Sequence, residues 1–206
     1  MIQIPGVEDS TVHEVIWIPW DGPGLEHLCL AGRGDGIYAD GLVIGTYEVG
    51  AFRLMYEIIC DISWRVSRVC LSLIGGKEEL ELSSDGKGHW VDEKGVPIPG
   101  LDGCFDVDIS GSPFTNTLPI RRLRLQPGQS ADISMVYIYV PTLQVSRTMQ
   151  RYTCLESGPD GGLYRFEALE SGYTAVLPVD ASGLVLDYPQ LFRRSWSSEY
   201  ITVKER

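Results

Sequence analysis

The chain has 206 residues, 44% of them hydrophobic and 22% charged, with a formal net charge of -11 and a pI near 4.7. That length suits one domain with a sizeable core, and the negative field repels phosphate backbones and anionic membrane surfaces, which excludes nucleic acid as a partner. No run reaches the roughly 18 apolar residues that a membrane-spanning helix needs.

From its start the chain reads M-I-Q-I-P-G-V-E-D-S, with neither a basic nor an apolar leader region, so a cytoplasmic location is expected. The five cysteines are scattered without C-x-x-C spacing, which argues for reduced thiols and against structural zinc. Strand-like runs then follow at 13–20, 25–31, 36–49, 51–61, 64–74, 77–83 and 88–92. Six more come at 131–140, 143–147, 151–156, 162–168, 173–179 and 183–186. Turn signals such as Asp85-Gly86, Pro127-Gly128 and Ser182-Gly183 separate them. The expectation is a mainly β fold, a many-stranded antiparallel sheet that rolls up, because a flat sheet of so many strands is unusual. One segment breaks the pattern. In D-Y-P-Q-L-F-R-R-S-W, Pro189 sits near a helix start and Leu191, Phe192 and Trp196 are spaced for one face, which predicts a short helix at 188–196. The polar tail 197–206 is expected to be peripheral. No linker divides the chain, so a single domain is expected over 1–206.

The segment 99–123, P-G-L-D-G-C-F-D-V-D-I-S-G-S-P-F-T-N-T-L-P-I-R-R-L, is the richest in chemistry. It holds three carboxylates, the only asparagine of the chain and two adjacent arginines. In a strand, Asp106 and Asp108 share one face and Phe105, Val107 and Ile109 the other. Read as a second strand, the next run places Arg122 with Leu118 and Ile120, and Arg121 opposite. Acids and bases then meet as cross-strand pairs or line a polar pocket. Asp102, Asp106 and Asp108 are candidates for reading sugar hydroxyls or for paired acid/base hydrolysis; turn chemistry for Asp102 and salt bridges for the others are the plainer alternatives. Asn116 is either a ligand-reading amide or a local cap. Arg121, Arg122 and Arg151 offer forks for a carboxylate or phosphate. Gln150 and Tyr152 lie beside Arg151. Trp64 and Trp90 are candidates for stacking on a sugar, Tyr152 and Tyr188 for presenting a hydroxyl; core packing is the competing reading for all four. His13, His27 and His89 lack ligand spacing, and there is neither a phosphate loop nor a G-x-S-x-G elbow, so no metal or cofactor is expected.

The motifs G-L-D-G-C-F-D-V-D at 100–108 and T-N-T-L-P-I-R-R-L at 115–123 resemble the signature of a bacterial family labelled "putative glycolipid-binding". C-D-I-S-W at 60–64, Q-R-Y-T at 150–153 and L-V-L-D-Y-P-Q-L-F at 184–192 agree, and the resemblance runs from about Trp17 to Trp196. It implies a spiral β-roll, a many-stranded sheet wrapped around a single helix, assembling as a homodimer. It also implies a non-enzymatic binding protein for a glycolipid or other amphiphile. Two alternatives stand beside it: an acid/base hydrolase acting on a glycoside-like substrate, and an interaction dimer without ligand.

Overall fold

The computed structural model describes residues 10–47 and 50–202. Residues 1–9, residues 48–49 of the third run and the last four residues of the tail lie outside the described residues. Strands β1 (Ser10–Pro19), β2 (Leu25–Arg33), β3 (Gly36–Tyr47), β4 (Gly50–Cys60), β5 (Val66–Leu73), β6 (Glu79–Ser84) and β7 (Trp90–Asp92) form an antiparallel meander. Strands β8 (Asp106–Ile109), β9 (Ser130–Tyr139), β10 (Gln144–Gly158), β11 (Gly161–Ala168) and β12 (Thr174–Asp180) form a second sheet. Then β13 (Asp187–Tyr188) and β14 (Phe192–Thr202) return to the first sheet and pair on the free side of β1. The nine-stranded order is β13-β14-β1-β2-β3-β4-β5-β6-β7 and the five-stranded order is β12-β11-β10-β9-β8. All pairs are antiparallel except β8 with β9. The sheets join at a corner, where Val179 bridges Val185 and the Leu186 amide donates to the Pro178 carbonyl.

Alternation explains why these residues make strands. In β4, Leu54, Tyr56, Ile58 and Cys60 are buried while Ala51, Arg53, Met55 and Glu57 are exposed, so one face packs on the core. The main core fills the space between the large sheet and β8, β9 and the segment that follows β8. A second apolar cluster lies inside the smaller sheet, around Tyr152, Phe166, Leu177 and Tyr188.

The one α-helix among the described residues, α1, is Thr117–Leu123 and not 188–196. It follows a 3-10 turn at Pro113–Asn116. Pro119 is tolerated because the first helical amides have no intrahelical acceptor anyway. Seven residues are too few for a helix to stand alone. Both sheets supply the missing stability: Leu118 belongs to the main core and Ile120 to the second cluster, and each buried side chain is worth about 1.5–3 kcal/mol. At 188–196 the chain instead makes a hairpin. Pro189 and Gln190 are the central residues of a turn closed by the Leu191 amide on the Tyr188 carbonyl, with Gln190 at φ 68. Proline followed by a left-handed residue is the type II pattern, so the proline that resembled a helix start is a turn former. The tail expected at the periphery is strand β14 as far as Thr202.

Candidate functional site

The acids of the central segment sit on β8, in register with Met135 and Tyr137 of the parallel neighbour β9. Asp106 and Asp108 therefore share a face, as alternation requires. The arginines do not lie on the adjacent strand; they occupy the last turn of α1, so only one of them turns back onto β8. Arg122 Nε lies 3.0 Å from both Asp106 oxygens and Nη2 lies 2.5 Å from Oδ2. Asp106 is fully buried, and the Arg122 side chain is 15% exposed. Burial pushes the Asp106 carboxyl up, and the Arg122 guanidinium pulls it back toward the ionised form. The pair clamps α1 to β8.

Asp108 belongs to a different network. Its Oδ2 accepts the Gln150 amide at 2.6 Å, and Oδ1 lies 3.2 Å from the Thr115 hydroxyl, which also reaches the Ser112 carbonyl at 3.1 Å. Gln150 Oε1 and Asn116 Oδ1 both face the Tyr152 hydroxyl, at 3.3 and 3.0 Å. Asn116 donates its amide to the Pro113 carbonyl at 3.2 Å. Gln150, Tyr152 and Asn116 are buried, whereas Asp108 is half-buried. Packing around Asp108 pushes its carboxyl up, against the pull of Gln150 and Thr115. Unlike Asp106, it has only neutral partners. Tyr188 completes the neighbourhood, packed on Phe166 and Tyr173 at centroid distances of 6.1 and 6.3 Å. Its hydroxyl is pushed up by burial and by the Asp108 charge, as is that of Tyr152.

The other candidates lie elsewhere. Trp64 and Trp90 are core residues: Trp90 Nε1 donates to the Cys104 carbonyl at 2.9 Å, and Trp64 lies beneath the Arg121 guanidinium, 5.2 Å from ring centroid to Cζ. Arg121 also reaches the Ala181 carbonyl at 3.4 Å. Asp102 is exposed and its carbonyl accepts Arg147. Arg151 makes an exposed pair with Asp132, at 2.5 and 2.8 Å. The acids and bases expected to meet as cross-strand pairs or in one polar pocket thus fall in two networks, an ion pair at Asp106 and a carboxylate with only uncharged partners at Asp108. All five cysteines are free.

A buried acid escaped the sequence reading. Glu26 of β2 shares its inward face with Leu28 and Leu30, and that period-2 pattern was the available signal. Its Oε1 accepts the Tyr56 hydroxyl and the Ser112 hydroxyl, each at 2.5 Å. Its Oε2 meets no donor at hydrogen-bond geometry among the described residues. Burial raises this carboxyl to about 7, although Ser112, Tyr56 and the Phe114 amide favour the anion. Tyr56 reaches Glu26 from β4 by crossing β3 at Gly41, where a Cβ would lie 2.0 Å from the ring. Gly41→Ala should therefore displace Tyr56 and lower stability by about 1–3 kcal/mol, the usual range for an overpacked core. A chemical denaturation midpoint equal to the parent's would show that the ring moves aside freely.

The sequence model of a family described as "Putative glycolipid-binding" matches residues 14–194. The chain belongs to this family. The two central motifs that pointed to it are the two arms of the Asp106–Arg122 clamp, one ending on β8 and the other on α1. A crystal structure of a DUF1089 family protein from Pseudomonas aeruginosa is similar at 39% identity, with a TM-score of 0.74, over 85% of this chain and 95% of that one. No curated protein matches the chain. No helix among the described residues is long and apolar enough to cross a membrane.

Proposed function

We propose that the protein binds an amphiphilic small molecule whose hydroxylated head, a sugar or its like, is read by Asp108. The observation that carries this reading is that Asp108 is half-buried and has only neutral partners. A carboxylate held by an amide and a hydroxyl keeps lone pairs for further donors, and its charge strengthens each bond it accepts. Gln150, Tyr152 and Asn116 stand behind it and fix its orientation. Tyr173 is partly exposed nearby, packed over the buried rings of Phe166 and Tyr188, and its free face suits a sugar or the start of an alkyl chain. The family description supports the same reading. The acid/base hydrolase alternative is weakened by Asp106, which is engaged at both oxygens by Arg122 and closed to water.

Titration calorimetry with alkyl glycosides and the matching fatty acids, each below its micelle concentration, tests the reading. Saturable binding is expected for the glycosides and not for the acids. Asp108→Asn should weaken it about tenfold, or about 1.4 kcal/mol. Absence of saturable heat across the series, or full affinity in Asp108→Asn, would sink the proposal. Native mass spectrometry of the same samples reads ligand stoichiometry and tests the expected homodimer.

A further inference from the structure

A second convergence of polar side chains lies away from the central networks, where β1 and β14 face the turn after β12. His13 and Glu199 are direct cross-strand partners, with His13 Nδ1 3.3 Å from Glu199 Oε2. On the other side of the ring, His13 Nε2 lies 3.4 Å from the Ser182 hydroxyl. The three line one cleft of about 220 Å3, with Val15 and Leu184 as apolar wall. The Glu199 carboxylate beside Nδ1 suits the tautomer in which Nε2 accepts from Ser182. This is the order nucleophile, base, orienting acid that acyl-transfer enzymes reach on unrelated folds.

The turn that carries Ser182 is held firmly. Asp180 Oδ1 accepts the amides of Ser182 and Leu184 at 2.9 and 3.0 Å, and Oδ2 pairs with Arg194 Nη1 at 2.7 Å. Gly183 follows at φ 79, and a Cβ there would meet the Arg121 side chain at 2.8 Å. The sharp bend therefore needs glycine directly after the serine. Firm support of this kind is what a reactive side chain requires.

We propose that Ser182, His13 and Glu199 form an acyl-transfer centre for esters of short acyl chains. Ser182 Oγ attacks the ester carbon while its proton passes to His13 Nε2. The carbon–oxygen bond to the alcohol breaks, and the leaving oxygen takes that proton. Water then attacks the acyl-serine, gives a proton to His13, and Ser182 Oγ leaves with that proton as the carboxylic acid departs. Glu199 is a positioning residue, acting through the imidazole. Beyond Arg194, β14 has no strand neighbour on its second edge among the described residues. The small cleft limits the acyl group to a few carbons.

The test uses the full chain with p-nitrophenyl acetate. Nitrophenol release is expected, with the acetyl group mapped by peptide mass spectrometry to Ser182. Ser182→Ala sits in a half-buried turn and should keep the fold while lowering the rate about 100-fold. Ser182→Cys should retain acylation at the same position. Glu199→Gln should lower kcat and leave KM unchanged, a split that a purely structural role would not produce. The proposal is overturned by a rate that survives in Ser182→Ala, by acetylation mapped to another residue, or by release no faster than in buffer.

Discussion

Replacing Arg122 with alanine should destabilise the protein by about 3–5 kcal/mol at pH 7, the range for removing one partner of a buried ion pair. Asp106 is fully buried, and the guanidinium that answers its charge is Arg122's. Without it, the carboxylate either remains as an unpaired charge or takes up a proton. Protonation sets a ceiling. Its ordinary value is 3.8, so holding the proton at pH 7 costs about 4.4 kcal/mol at about 1.4 kcal/mol per pH unit. The deficit of Arg122→Ala should therefore shrink by about 1.4 kcal/mol for each unit of acidification, until the carboxyl is protonated without cost. Arg122→Met with Asp106→Leu should recover most of the loss, since an apolar pair of similar volume can replace a buried salt bridge. Denaturant unfolding of the parent, the single variant and the double variant at several pH values measures this. A single variant that unfolds at the parent midpoint would mean that the clamp carries no stability.

Glu26→Gln should flatten the pH dependence of stability. The folded carboxyl titrates at about 7 against an ordinary 4.5. Below 4.5 it is protonated in both states and adds no pH dependence. Between 4.5 and 7 the unfolded chain gives up its proton first, so the folded state loses stability as pH rises. Above 7 both are ionised and the full difference is lost, about 3 kcal/mol for 2.5 units. Glutamine keeps an acceptor for Tyr56 and Ser112 but does not ionise. The variant should therefore gain on the parent by about 3 kcal/mol between pH 4.5 and pH 8. Asp106 and Asp108 are also raised and act in the same direction, so some slope remains. Parallel stability curves for parent and variant would rule out Glu26 as a source.

Strands were legible because one face is buried and alternation records it; β4 repeats the rule for its whole length. The helix was not, because α1 is enclosed on both sides: Thr117, Leu118, Pro119 and Ile120 are all buried, and burial without a bare face leaves no period to read. At 188–196 one proline served two local patterns, and the left-handed Gln190 that decides between them has no sequence mark. For the candidate site, Asp106 and Asp108 were legible as a same-face pair. Which arginine would answer them depended on reading α1 as helix. Contacts such as Glu26 with Ser112 and His13 with Ser182 join residues 86 and 169 positions apart. No local pattern reports such distances.

The large sheet also has a history written into its strand order. β1 lies between β2, its immediate successor, and β14, the last strand described. Among the described residues, β14 is the strand that covers this edge of β1, and it emerges from the ribosome after β2 to β13. A strand edge without its partner is a template for pairing with neighbours, which gives the late arrival of β14 its weight. Closure by the most distant strand pairing among the described residues makes completion of the sheet a late event, ruled by loop entropy rather than by local propensity.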